Sequence, residues 1–460
     1  MRKFFIILSI IVSIAIISIA SYFIYKEIRQ NKYNKKARAI CAEMHLPTID
    51  IKTEKGKLPK DKENYVNCSF KISNCENEKY NIEIKMAEKY GSKDSVGIRL
   101  RGNSTSKLPK KPYRIKFGDE QEILGLTEAK SWVLLADYFD YSNMKNYTAF
   151  NFAKKLNNMD FAPSANHVAL FLNGDFKGLY LLTEQMDEKE GRTNVEPEVD
   201  FTAEDKEFPF LIEMDRSASK EGITGVDNFN IDGFYPIEIK YPESDERKIK
   251  DVDDDIVYDY IEEYMYAVLK TLETGGTTNV SFRNNNLVSF SDLVDVNSLV
   301  DYYLCNEIML NFDNTWGSIY MHKKADGKLM FGPVWDFDIA MMTSYNKKSN
   351  KTNVDESKIL YLAKHSKIFN LFLKNEDNYK LVTDRWNEIK DELKSVKDQL
   401  VEYKEYINDI AILDAKYWYW FKGKKKFNTE YDNVIRFLDN RFEFLDSTFN
   451  KEFSEFSKLL

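Results

Sequence analysis

Thirty-three residues, Asn306 to Asp338, carry the densest set of groups that could do chemistry: NEIMLNFDNTWGSIYMHKKADGKLMFGPVWDFD. An apolar helical pattern ends in Asn311-Phe312-Asp313-Asn314. Two short strand patterns follow, joined at Asp326-Gly327, and the second runs into Trp335-Asp336-Phe337-Asp338. Asp313 and Asp336 thus stand 23 residues apart, each at the end of an apolar element. Phosphoryl transfer uses this arrangement. One Asp, in a loop after a helix, orients the acceptor hydroxyl, and a second, after a short hairpin, holds the metal on the phosphates. Asp313 is therefore the candidate base or acceptor-orienting residue. Asp336 is the candidate metal ligand, Asp338 a second, and Asn314 a further oxygen donor. Asp and Asn also simply build turns. The pairing, with Trp335 and Phe337 bracketing Asp336, is what favours chemistry.

Phosphate also needs cations. Arg99, Arg101, Lys110, Lys111, Arg114 and Lys116 lie close along the chain, and Gly102 to Thr105 offers a flexible turn with backbone N–H groups and the Ser104 hydroxyl. If Lys111 to Phe117 is a strand, Arg114 and Lys116 share one face while Tyr113, Ile115 and Phe117 face the other. Lys116 is then the first choice for the phosphate-contacting lysine, with Arg114 second. The competing reading is an edge strand bearing solvated charges. Neither a Walker A sequence nor a G-x-G-x-x-G loop is present.

The elements that must hold these groups read as mixed α and β. Ile49 and Ile51 alternate with polar residues, and Tyr80 to Lys85 repeats the pattern. Residues 95 to 117 predict two strands around the Gly102–Pro109 loop. Ser142 to Asn157 predicts a helix with Ser142 as N-cap. His167–Leu172 and Gly178–Thr183 predict a hairpin turning at Asn173-Gly174. Further strands are expected at 210–213 and 236–240, and a helix runs from the acidic stretch 251–263 to about Leu272. Residues 274–287 read as loop, Asp292 to Leu310 as one apolar helix, and 345–358 as a polar, mobile segment. The rest is helical, with an aromatic patch at Tyr417-Trp418-Tyr419-Trp420-Phe421 that reads as packing surface.

Composition sets outer limits. Of 460 residues, 43% are hydrophobic and 14% aromatic, enough for a substantial core, and no short repeat suggests a solenoid. The net charge of −8 argues against a nucleic-acid binder. Phe4 to Tyr25 is uncharged over 22 residues, long enough to span a membrane, and fits an uncleaved anchor better than a signal peptide. Lys26, Arg29, Lys32, Lys35, Lys36 and Arg38 follow, and the positive-inside rule favours a cytoplasmic domain. Cys41, Cys68, Cys75 and Cys305 form no CxxC; a hairpin could close Cys68 to Cys75, and Cys305 reads as a small core residue. Four scattered histidines give no metal or triad signature.

The chain resembles the CotH kinase family, the spore coat protein H group of atypical protein kinases. Ordered blocks carry the resemblance: Ile98 to Thr105, Lys110 to Phe117, Ser131 to Ala136, Asp140-Tyr141-Ser142, Leu172-Asn173-Gly174, Gly178 to Glu184, the Asp313 loop and the Trp335–Asp338 segment. The resemblance covers roughly residues 46 to 345. It implies an α+β, diverged two-lobed protein-kinase-like fold with a helical C-terminal extension behind an N-terminal transmembrane helix. It implies ATP with Mg²⁺ or Mn²⁺, and transfer of phosphate to Ser or Thr of spore-coat or cell-envelope proteins. Secreted or coat-associated relatives tilt the location to the extracytoplasmic side, against the positive-inside rule. The domains expected are an anchor or signal segment at 1–25, a juxtamembrane linker at 26–45, a β-rich N-lobe at 46–187, a C-lobe at 188–345 and a helical region at 346–460. Glu184 and Met186, leading out of the N-lobe, are where a kinase-like chain meets the adenine edge. Two departures stand out. Ser318 occupies the place of the metal-binding Asn five residues after the catalytic Asp, where Asn314 could substitute. The Ser142 helix also lacks the Glu that pairs with the kinase lysine, which Asp140 could orient instead. These departures keep open an inactive kinase-like scaffold, and behind it a metal-dependent phosphoesterase.

Overall fold

The structure, a computed structural model, describes residues 2–195, 207–218, 228–242, 254–283, 286–342, 355–419 and 423–460. Most of 345–358, with Trp420 and Phe421, lies outside the described residues. The fold is mixed α/β with a sheet core and a helical C-terminal region. The strands are β1 (Thr48–Thr53), β2 (Val66–Ser73), β3 (Glu83–Ile84), β4 (Val96–Leu100), β5 (Tyr113–Gln121), β6 (Ala129–Leu135), β7 (Ala165–Leu172) and β8 (Asp175–Glu184), then β9 (Phe210–Met214), β10 (Asn228–Phe229), β11 (Ile237–Tyr241), β12 (Val280–Phe282), β13 (Asn286–Val288), β14 (Ile319–Lys323) and β15 (Met330–Phe331). The helices are α1 (Arg2–Met44), α2 (Lys145–Lys155), α3 (Asp254–Glu273), α4 (Phe290–Leu293), α5 (Val296–Ile308), α6 (Leu362–His365), α7 (Lys367–Leu373), α8 (Glu376–Tyr419), α9 (Gly423–Phe449) and α10 (Phe453–Phe456).

The chain forms two compact units, each assembled from separated segments. Unit 1 holds residues 1–119, 167–180 and 405–424; unit 2 holds 120–166, 181–404 and 425–460. In unit 1, β2 pairs antiparallel with β1, β3 and β4, β4 with β5, and β1 runs parallel to β7 with Thr48 opposite Ala169. The period-2 reading of β5 holds: Tyr113, Ile115 and Phe117 are buried while Lys116 is exposed. The β7–β8 turn is Asn173-Gly174, both at positive φ, the backbone that Asn and Gly tolerate in a two-residue hairpin. By contrast, the expected strand at 80–85 shrinks to two residues after a 3₁₀ turn.

Of residues 26–45, expected as a linker, 26–44 continue α1 as helix. No Gly or Pro interrupts them before Pro47, and the helix buries Ala37, Ile40 and Cys41 against unit 1. Arg38 forks onto Asp50, its Nη1 donating to Oδ2 at 2.7 Å. The N-terminal part of α1 is long and apolar enough to cross a membrane. Lys110 and Asp414 form a fully buried ion pair at 3.0 Å, and Asp414 also accepts the Leu179 N–H at 3.0 Å. All four cysteines are free, buried thiols, so Cys68 and Cys75 are not bonded here.

In unit 2, β6 pairs with the Leu181–Glu184 end of β8. A second sheet runs β10-β11-β9-β14-β15. The expected loop at 274–287 contains the β12–β13 hairpin. The expected helix 292–310 splits into α4 and α5, because Val294 is extended and bridges Leu329 while the Asp295 carboxylate restarts the helix by accepting the Ser298 N–H at 2.8 Å. Near the end of α5, Glu307 is wholly buried. Its carboxylate accepts Arg441 at 2.6 Å and the N–H groups of Tyr361 and Ala363 at 2.9 and 2.8 Å. Burial pulls the Arg441 guanidinium downward in pKa, and the Glu307 charge opposes that. Breaking such a pair leaves one charge buried alone. Arg441→Ala should therefore lose roughly 3–5 kcal/mol of unit 2 stability, read as a lower urea midpoint. An unchanged midpoint would contradict a structural role for the pair.

Candidate active site

The chemistry-bearing residues of unit 2 gather at the start of α2. Asp140 is fully buried. Its Oδ1 accepts the Ser142 N–H at 2.9 Å and the Ser142 hydroxyl at 2.5 Å, and its Oδ2 accepts the N–H groups of Met144 and Lys145, both at 2.8 Å. A carboxylate there satisfies orphan donors and sits well with the helix dipole. Ser142 was the expected N-cap of a helix from 142. Its hydroxyl donates to Asp140 and accepts the Met144 N–H at 3.2 Å, and the helix begins at Lys145.

The first turn of α2 then reaches the Trp335–Asp338 segment. Lys145 is buried, and its Nζ donates to the Asp338 carbonyl at 3.4 Å. Asn146 bridges: its Nδ2 donates to Asp137 Oδ1 at 2.7 Å, and its Oδ1 accepts the Phe337 N–H at 2.9 Å. Trp335 stacks on Phe150 of α2 with ring centroids 5.7 Å apart. The hairpin fixes the approach. Met321 pairs with Phe331, and buried His322 holds the Gly332 carbonyl through Nδ1 at 3.1 Å.

Charge dominates this place. Asp338 is held well above the usual carboxylate range, first by burial, then by the negative charges of Asp336 and Asp137; Lys145 opposes them and Asp313 adds to them. Asp338 therefore feels three other carboxylates and the buried Lys145 ammonium. Asp313 is also raised, by burial foremost. A Trp316 hydrogen bond and the Arg216 charge work against the rise, and Asp215 adds to it. Arg216 lies 4.7 Å over the Trp316 ring, and its N–H donates to the Trp316 carbonyl at 2.9 Å. The backbone is strained where chemistry would occur. Asp137, Asn143, Leu310, Ser318, Asp336 and Met341 all have φ between 46° and 63°, a region costly for residues with a Cβ.

Excess negative charge and hard oxygen donors fit Mg²⁺ or Mn²⁺. Among the described residues no three His, Cys, Asp or Glu side chains are grouped to hold an ion alone. Mg²⁺ commonly takes one or two carboxylates with waters and substrate phosphates, so Asp336 and Asp338 suffice for the fit. Asn314 is fully buried. Its Nδ2 donates to the Tyr302 hydroxyl at 2.7 Å and its Oδ1 is without a partner, while Ser318 turns its carbonyl, not its hydroxyl, to that network.

The expected phosphate residues Arg99, Arg101, Ser104, Lys111, Arg114 and Lys116 belong to unit 1. Arg99 lies over the Tyr65 ring at 4.9 Å, Lys111 donates to the Ser106 carbonyl at 2.8 Å, and Ser104 and Lys116 are exposed. Of the adenine-edge candidates, Met186 is buried. Glu184 spends its carboxylate on Arg192 and on the Ser164 N–H, both at 2.7 Å. Sequence reasoning missed Asp137, Lys145, Asn146, Asp215 and Arg216. One signal was there for Lys145: a lysine in the first turn of a helix opposes the dipole, a placement that asks for a reason.

Asp160 ties the hairpin from outside the cluster, 3.7 Å from His322 Nε2 and 2.9 Å from Lys324 Nζ. The His322 contact, helped by Lys324 and resisted by burial, brings its pKa down to about 2. A depressed acid stabilises the fold above its unfolded pKa and loses that contribution as pH falls toward the folded value. Asp160→Asn should therefore lower Tm at pH 7, and the gap to wild type should close between about pH 4 and pH 2. A gap independent of pH would contradict the clamp.

No curated protein matches this chain. The family described as CotH kinase protein matches residues 98–445, which include both Asp loops, α2, all of α8 and most of α9. The chain belongs to the CotH kinase family.

Proposed function

We propose that the protein is a phosphotransferase that moves the γ-phosphate of ATP to Ser or Thr hydroxyls of spore-coat or cell-envelope proteins, using Mg²⁺ or Mn²⁺. The observation that carries this reading is buried Asp338 in unit 2, which feels the charges of Asp336, Asp137 and Asp313 and has its carbonyl bonded by buried Lys145. When bound, the divalent ion neutralises phosphate charge. Asp336 and Asp338 would hold it, with the Oδ1 of Asn314, in the Asp313 turn, as a further proposed oxygen donor. Asp313 would orient the acceptor hydroxyl and accept its proton. Its raised pKa brings it nearer to the range useful for a general base. Lys145, bonded to the Asp338 carbonyl, holds the Asp338 loop in place and contributes the one cation felt by that carboxylate. From the sequence reading, Lys116 and Arg114, with Arg99, Arg101, Ser104 and Lys111, stay the proposed phosphate contacts, and Glu184 with Met186 the proposed adenine edge.

A catalytically inactive kinase-like scaffold is the second reading. Ser318 in place of the usual Asn, and the lack of a Glu in α2, favour it. One experiment separates the two. Purified protein is incubated with ATP and Mg²⁺ or Mn²⁺, and phosphosites are mapped by mass spectrometry on the protein itself and on envelope extracts. Asp313→Ala should keep its thermal melt and nucleotide affinity while losing roughly 10²–10⁴-fold in transfer, as expected for a group acting mainly in the transition state. A wild type that binds ATP but phosphorylates nothing would put the scaffold reading ahead.

A further inference from the structure

The end of α8 sits beside the membrane-proximal part of α1, within unit 1. Arg29 Nη2 donates to the Tyr417 carbonyl at 3.0 Å, and the Tyr33 hydroxyl to the Lys416 carbonyl at 3.3 Å. The Tyr417 hydroxyl returns a bond to Gln30 Oε1 at 2.7 Å, and Tyr33 meets Tyr417 edge to face at 5.0 Å. Trp418 donates its indole N–H to the Lys177 carbonyl at 2.9 Å. These contacts fix a height. The uncharged span ends at Tyr25, and α1 is one continuous helix through Arg29. At about 1.5 Å per residue, Arg29 stands about 6 Å beyond the end of the span. The polar headgroup layer is roughly 5–8 Å thick on each side of the hydrocarbon. A helix end bonded to Arg29 is therefore level with the headgroups.

The chemistry of the surface suits that level. Tyr22, Phe23 and Tyr25 are exposed at the end of the span, and Trp418 and Tyr419 are half-exposed. Trp and Tyr favour the membrane–water interface. Lys26, Arg29 and Lys32 on α1, with Lys177 and Lys416, outnumber the acidic Glu27 and Asp175. The basic residues continue in the sequence at Lys424 and Lys425.

We propose that the Lys416–Tyr419 end of α8 is a second membrane contact that binds anionic lipid headgroups of the bilayer crossed by α1. The long helix is then held to the bilayer at its C-terminal end, and unit 1 is oriented by two contacts instead of swinging on one. This rests on α1 spanning the bilayer and is independent of the phosphotransferase reading.

The test uses the full chain in nanodiscs, with a trace of phosphatidylglycerol or of phosphatidylcholine carrying a photoreactive headgroup. Crosslinks are mapped by mass spectrometry. The expected result is labelling of peptides covering 22–33 and 410–419 by the phosphatidylglycerol probe, with weaker labelling by phosphatidylcholine. Lys416→Gln should reduce label on 410–419 by about two- to fivefold, the effect of one basic residue at an anionic surface, while label on 22–33 persists. Label on 22–33 with none on 410–419 would overturn the proposal. Equal labelling by both probes would overturn its anionic part. No label on 22–33 would overturn the span on which it rests, and would leave the transfer assay untouched.

Discussion

A buried carboxylate, Asp338, set among other acidic charges is the constraint around which this part of unit 2 is arranged. Asp338 feels the charges of Asp336, Asp137 and Asp313, opposed by buried Lys145, and burial with these neighbours holds its carboxyl well above the usual range. A fold keeps such a cluster only when other interactions over-determine its position. They do. Asp140 ties the start of α2 with four hydrogen bonds. Asn146 links that helix to both Asp137 and Phe337. Glu307 and Arg441 lock the end of α5 just before the Asp313 loop. These bonds hold Asp338 among other negative charges, and a divalent cation, as proposed, would offset them.

The same logic explains the strained backbone. Six non-glycine residues with positive φ fall within the Asp137–Asn143, Leu310–Ser318 and Asp336–Met341 segments. The Met341 N–H donates to the Met309 and Leu310 carbonyls at 3.0 and 3.3 Å, so two of these segments brace each other. Tight turns aim the Asp side chains while keeping their apolar neighbours Phe312, Trp335 and Phe337 in the core.

Much of this was legible in the chain, for physical reasons. Strand alternation at β1 and β5 follows from side chains pointing to opposite faces, and the β7–β8 hairpin from the backbone tolerance of Asn173-Gly174. The Asp313 and Asp336 loops stood out because each breaks an apolar element. Other features depend on contacts between distant residues. Lys145 and Asp338 are 193 positions apart, and nothing local announces their meeting. Asp140 displaced Ser142 as the cap because a carboxylate two residues earlier could reach four donors. The break between α4 and α5 comes from a bridge to Leu329, and the helical course of residues 26–44 from packing on unit 1.

Titration of Mn²⁺, in the presence of a non-hydrolysable ATP analogue, into the purified protein by calorimetry tests the central claim most directly. The account predicts a saturable metal–nucleotide site in the wild type, abolished by Asp336→Asn and weakened at least tenfold by Asp338→Asn, with both variants still folded. Undiminished binding in both variants would show that the carboxylate cluster is not where the metal and nucleotide meet.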